Sequence, residues 1–419
     1  MKKYIRILKN QFERHKILIE NFSYLSVLQI FNMLIPLITY PYLIRVLGKE
    51  YYGLVIFAQA IIGYLSILVS LGFNVSATKK VSVYRNDKKK LNEIFSSVLI
   101  LKSYLFLISC AILAILLIYI PRAQGYEVLF LLSMSSCIND ILYPSWYFQG
   151  IERMKYITYL TLISRLTFMV LIFFLIKKPS DYIWVPALYG FGYILSGIIS
   201  SYIVFVKHKI RFYFQPIKTL KIYLLDSFPI FVSNVSVVLY VSTNKVITGA
   251  LLGMEQLAYY DLAEKIITVL KTPINILGTT LFPKFNHDKN LGFAKKIIRL
   301  SVIGNIFLFF LTLIFSRSIV LLLGGQAMEH ATIIVNILAI TIPVIATSNL
   351  LILSMLLPFN KERSVLFIVV TTAMLYITTI SLLIFLNKFT LINISILIVF
   401  IELWATLVSY LFCKKLHII

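Results

Sequence analysis

Acidic side chains are scarce in this chain: 17 Asp and Glu stand against 40 Lys and Arg, for a net charge of +23. Charge of either sign is thin too, at 14% of 419 residues, where a water-soluble domain carries about 25%. A soluble enzyme and a disordered chain are excluded. Cysteine is nearly missing, with three in all. Cys110 and Cys137 fall in apolar runs, Cys413 just follows one, and no metal spacing links them, so a disulfide scaffold is excluded and they read as packing residues. The five histidines (His15, His208, His287, His330, His417) form no cluster. P-loop, nucleophile elbow, HExxH and CxxC patterns are all lacking. No cleavable leader is expected, because the first 20 residues are too polar.

Apolar side chains fill the gap. They make up 59% of the chain, and the mean hydropathy is +0.89. Runs of about 20 apolar residues recur from end to end, each long enough to cross about 30 Å of hydrocarbon as a helix. Twelve spans are predicted, at 21–43, 53–74, 94–120, 127–148, 156–176, 183–206, 226–249, 257–281, 300–322, 331–357, 364–386 and 391–412. The basic excess then belongs to loops and not to a nucleic-acid surface. Of the 40 Lys and Arg, 28 lie in the N-terminal segment, the even-numbered loops and the tail, and seven in the odd-numbered loops. That alternation places both termini in the cytoplasm. The basic run holding Ile5, Leu8 and Phe12 is either a membrane-surface helix or a solvated tail. All outer loops are short, which removes a large extracytoplasmic domain.

The chain also repeats itself. Leu47-Gly48-Lys49-Glu50, continuing to Ala58, Ile61 and Ile62, matches Leu252-Gly253-Met254-Glu255, continuing to Ala263, Ile266 and Ile267, at an offset of 205. Glu152-Arg153 and Glu362-Arg363 echo it at 210. Duplication predicts an all-α polytopic protein with two six-helix halves of parallel topology around a central cavity. The expected divisions are a cytoplasmic segment 1–20, a half 21–206, a linker 207–225, a half 226–412 and a tail 413–419.

Nine charges fall inside the spans: Lys102, Arg165, Lys245, Lys265, Lys271, Asp140, Asp261, Glu264 and Glu402. A charge at the bilayer centre costs about 2.5–3.5 kcal/mol even on a lenient scale, so such residues face a bundle interior or water. Polar side chains accompany them at helical spacing. The stripes are Gln29, Asn32, Pro36 and Tyr40; Ser133, Ser136, Asp140 and Tyr143; Thr158, Thr161 and Arg165; Ser233, Ser236, Tyr240 and Asn244; Asp261 to Thr272; and Glu402, Thr406 and Ser409. One stripe on each of six helices points to a shared aqueous vestibule. Simpler readings stand beside that one. Lys245 and Asp261 are about equally far from the turn at Gly253 and can pair across the hairpin. Glu264 and Lys265 are near the outer surface, and Lys102 is within snorkelling reach of the inner one. Arg165, Lys271 and Glu402 are nearer mid-depth, where snorkelling is hardest.

Several strings resemble a known family. YPYLIRVLGKEYYG at 40–53 and PSWYFQGIERM at 144–154 are similar to segments of the Wzx O-antigen flippases, in the multidrug/oligosaccharidyl-lipid/polysaccharide superfamily. Pro144, Trp146, Gln149 and Gly150 carry the most specific match. Ser164-Arg165-Leu166, Ala263-Glu264-Lys265 and Glu402 also fit, so the resemblance runs nearly the whole length. Asp261 departs from it, where a small or neutral residue is expected. The resemblance implies a flippase and not an enzyme, moving an undecaprenyl-diphosphate-linked oligosaccharide across the bacterial cytoplasmic membrane by alternating access. The diphosphate would meet Arg165 as a bidentate fork and Lys271 as a point charge, with Lys245, Lys102, Asn244, Gln29 and Asn32 as further substrate contacts. Asp140 or Glu402 would take a coupling H⁺ or Na⁺; no other cofactor, metal or nucleic acid is implied. The lipid bilayer, a polysaccharide polymerase and chain-length machinery would be its partners. A drug/cation antiporter of the same superfamily is the nearest rival, and a membrane-embedded polymerase a more distant one.

Overall fold

The computed structural model describes the backbone of residues 2–288 and 290–415, and the side chains from Glu20 onward except 22, 236–242, 274–276, 279–280, 282–284 and 287–288. The run with Ile5, Leu8 and Phe12, and the stripe residues Ser236 and Tyr240, lie outside the described side chains. Every regular element among the described residues is helical. Nine stretches of them are long and apolar enough to cross a membrane, one being the 61-residue Ser23–Val83. The chain packs as two units, one of residues 1–47 with 58–235, the other of residues 48–57 with 236–419.

The first unit contains most of α1 (Lys2–Ser70), then α2 (Phe73–Val83), α3 (Lys88–Tyr119), α4 (Glu127–Ser133), α5 (Ser135–Leu142), α6 (Ser145–Gly150), α7 (Met154–Leu175), α8 (Trp184–Tyr202) and the start of α9 (Ile217–Ile247). Asp87 caps α3 by accepting from the amides of Lys89 and Lys90, two donors that lack partners within the helix. The span expected over 127–148 is not one helix. Ser133 spends its hydroxyl on the Leu129 carbonyl, a bond that bends helices, and α5 begins two residues on. Tyr143 is extended (φ −108°, ψ 91°), as the proline that follows it demands. Beyond that break α6 packs against α2, with Phe73, Val81, Trp146 and Phe148 all buried.

The second unit opens on a backbone break. Gly48 has φ 74° and ψ 167° within α1, and Gly253, its partner in the repeat, has φ 97° and ψ 172°. Matched sequence therefore gives matched geometry, of a kind that favours glycine. The two copies also touch: a Cβ on Gly53 would lie 1.9 Å from the Met254 carbonyl oxygen. The unit continues through α10 (Met254–Asp288), α11 (Leu291–Gly324), α12 (Ala331–Ala339), α13 (Thr341–Leu351), α14 (Glu362–Phe385) and α15 (Leu391–Lys415). Here too an expected span, 331–357, is divided. Pro343 has no amide to give the Ala339 carbonyl and its ring would clash there, so the helix stops and restarts with proline in its first turn.

Candidate functional site

In the first unit, residues of α1, α4, α5, α7 and α8 enclose a cavity of about 340 Å³. Thr39, Ser66, Ser133, Ser135 and Ser136 give it hydroxyls, Gln59 an amide, and Tyr40, Tyr189 and Tyr193 aromatic walls. Arg165 is the one charged side chain among the lining residues described. Its position follows from helix packing. Gly192 of α8 sits against the Ser164 carbonyl, where a Cβ would come within 2.5 Å, so α7 and α8 approach closely. Phe168, one turn after Arg165, stacks on Tyr189 at 3.5 Å between centroids. Among the described residues no carboxylate pairs with Arg165, and its charge bears on the Tyr193 hydroxyl. An unpaired guanidinium among hydroxyls in a membrane unit has five donors to offer an anion.

Asp140 is beside this cavity. Ser66 gives its hydroxyl hydrogen to the Asp140 carboxylate, and Lys102, 2% exposed, donates to the Asp140 backbone carbonyl at 2.8 Å. Arg165, Asp140 and Lys102 are thus brought into one neighbourhood, with the lysine committed to a main-chain acceptor. Gln29 is exposed and Asn32 half-buried, and neither is among the cavity's lining residues.

The second unit gathers a different set. Asp261, fully buried, accepts from Lys245 at 3.0 Å, from Tyr52 at 2.6 Å and from Lys265. Lys245 also pairs with Glu264 at 2.6 Å. The pair across the hairpin is therefore present, within a larger network that engages Lys245. Asn244 accepts from the Tyr376 hydroxyl at 2.8 Å. Lys271, half-buried on α10, lies in the field of Glu402 and Glu264.

The motif residues Pro144, Trp146 and Gly150 are buried, and Gln149 is exposed. The three buried ones pack: a Cβ on Gly150 would meet Val81 at 2.5 Å. Sequence reading passed over Gln59, Ser66, Tyr189 and Tyr193. The last two carry a weak signal, an i, i+4 pair of tyrosines in an apolar run. Among the described residues no group of three His, Cys, Asp or Glu side chains could hold a metal ion.

The chain is similar to several known proteins. The "Putative O-antigen transporter" of Escherichia coli (strain K12) is 28% identical over 351 residues, covering 82% of this chain and 84% of that one. The protein of the same description from Shigella dysenteriae is 28% identical over 279 residues, covering 65% and 69%. Among solved structures, the lipid II flippase MurJ in an inward closed conformation shares the fold at a TM-score of 0.75 and 16% identity, covering 93% of this chain and 87% of that one. An inward-facing multidrug resistance MATE family transporter of the MOP superfamily does so at 0.74 and 16%, covering 95% and 98%. Residues 18–288, well over half the sequence and inclusive of the Arg165 cavity, match the family described as "Polysaccharide biosynthesis protein", and the chain belongs to that family.

Proposed function

We propose that the protein moves an undecaprenyl-diphosphate-linked oligosaccharide, an O-antigen repeat unit, from the inner to the outer leaflet of the bacterial cytoplasmic membrane by alternating access. The observation that carries this reading is Arg165, a cation with no described carboxylate partner in a cavity rich in hydroxyls. A diphosphate crossing bare hydrocarbon loses its hydration at prohibitive cost. A guanidinium replaces part of that hydration with directed hydrogen bonds, and serine, threonine and tyrosine hydroxyls do the same for sugars. Outward movement of the anion is also downhill in a potential negative inside, by about 2.3 kcal/mol per charge per 100 mV. The E. coli and Shigella relatives, described as O-antigen transporters, support the substrate class.

On this reading twelve helices span the membrane. The Ser23–Val83 stretch supplies two, separated at Gly48, and α9 and α10, of 31 and 35 residues, supply two more. Both termini face the cytoplasm, following the alternation of Lys and Arg. Asp140 and Glu402 are the carboxyl groups proposed for a coupling H⁺ or Na⁺, and a polymerase with its chain-length machinery would receive the product. A drug/cation antiporter is less well supported, because the cavity offers an organic cation no carboxylate among its lining residues.

Deletion tests the proposal. Lipid-linked repeat units should accumulate on the inner leaflet while susceptibility to cationic drugs stays unchanged. Normal delivery of repeat units to the outer leaflet in the deletion strain would end this reading.

A further inference from the structure

The second unit carries a groove of about 530 Å³ whose wall is almost wholly apolar. Leu351 and Met355 form its floor, 2% and 1% exposed, and belong to a packed cluster with Ala405 and Val408. Leu403 and Leu407 are half-open on α15, and Ile298 faces them from α11. The threonines on the wall are already satisfied: Thr347 bonds the Pro343 carbonyl, and Thr406 the carbonyls of Val344 and Glu402. Polarity is confined to one end. Lys295 and Arg299 sit in the first turns of α11, Tyr410 in the last turns of α15, and all three line the groove. Among the described residues no acidic side chain pairs with either cation. Leu403 to Tyr410 is seven helical steps, so the apolar trough runs about 10 Å away from its basic mouth.

We infer that this groove is a loading site, occupied before the headgroup reaches Arg165, that holds the proximal isoprene units of a polyprenyl diphosphate with Lys295, Arg299 and Tyr410 at the diphosphate. The inference rests on the flippase reading, and adds a place for the carrier lipid's tail. A rigid floor with open walls suits a long apolar chain that stays in the bilayer. Two exposed cations and a phenol match a headgroup carrying two or more negative charges better than a zwitterionic phospholipid, whose net charge is zero. Solitary snorkelling lysines at a membrane surface need no trough behind them.

The test uses the full chain in nanodiscs of phosphatidylethanolamine with a C15 polyprenyl diphosphate that carries a diazirine on its apolar chain. Photolabelling should fall on the peptides containing Ile298 and Leu403–Leu407. Leu407→Trp, which fills the trough, and Lys295→Gln with Arg299→Gln, which removes the charge, should each cut labelling at least tenfold in protein that still elutes as folded. Arg317→Gln, which removes an exposed cation toward the other end of α11, should leave it unchanged. Labelling elsewhere only, labelling that survives both variants, or displacement by phosphatidylglycerol at the same concentration as by unlabelled polyprenyl diphosphate overturns the inference. None of these outcomes depends on transport, so they leave the deletion experiment to judge the flippase reading alone.

Discussion

Tyr52 gives its hydroxyl hydrogen to Asp261, 209 residues further along the chain, at 2.6 Å. The carboxylate is 1% exposed, and Lys245 and Lys265 both point at it. Lys265 also donates to the Tyr52 oxygen at 2.8 Å. Three of these groups are charged, and the tyrosine comes from the short 48–57 segment that packs with the second unit.

Removing one partner from a buried ionic cluster leaves the rest uncompensated, at about 3–5 kcal/mol. Asp261→Asn should lose that much stability. Tyr52→Phe removes one hydrogen bond to a charged group and should lose about 1.5–3 kcal/mol. The fraction remaining folded after graded heating of the purified protein ranks the two. Equal or reversed losses would show that the carboxylate is not the hub.

Gly53→Ala should be among the most damaging single-methyl additions in the protein. The new carbon would lie 1.9 Å from the Met254 carbonyl oxygen, and neither backbone can yield as a flexible side chain would. Overpacking of this kind costs about 1–3 kcal/mol or more, so abundance in the membrane should drop several-fold. Gly63→Ala, where no atom lies within 4 Å of the added carbon, is the matched control.

For transport, Arg165→Ala should abolish surface polysaccharide while the protein stays folded in the membrane. Arg165→Lys should keep part of the activity, because it retains charge and loses the fork. A lost charge-assisted hydrogen bond of about 1.5–3 kcal/mol corresponds to roughly 10- to 150-fold in substrate affinity. Lys271→Ala should be comparably harmful. Wild-type export in both alanine variants would remove the anion-site assignment.

His208, just past α8, accepts or donates at Nδ1 to the Tyr147 hydroxyl at 3.1 Å and packs on Tyr156 and Phe148. Burial is the main cause that holds its pKa below the ordinary 6.5, with the nearby Arg153 and Lys207 charges adding to it. The unfolded chain therefore binds the proton more readily, and stability rises with pH in the window below 6.5. Heat resistance should be level above neutrality and decline as pH falls from 6.5 through the folded value. His208→Gln should flatten that decline; an unchanged slope would assign it to other groups.

Much of the local architecture was legible in the residues. The Leu-Gly-x-Glu repeat became a shared backbone break at Gly48 and Gly253, because a rare conformation needs the same residue twice. The equal distance of Lys245 and Asp261 from the turn became an ion pair. Tyr52 gave no signal, since a tyrosine near a loop has no periodicity to read. The divided fourth helices could have been inferred from Pro144 and Pro343, yet continuous apolar runs masked them. Tyr189 and Tyr193 were passed over because hydropathy cannot tell a ring facing a cavity from one facing lipid.

Gly48–Phe57 belongs to one unit by packing and to the other by its place in the chain. Anyone dissecting the protein at the 207–225 connector will find the seam misplaced. The leading fragment carries off ten residues of its sibling's interior, and the trailing fragment is born with Asp261 stripped of its phenol.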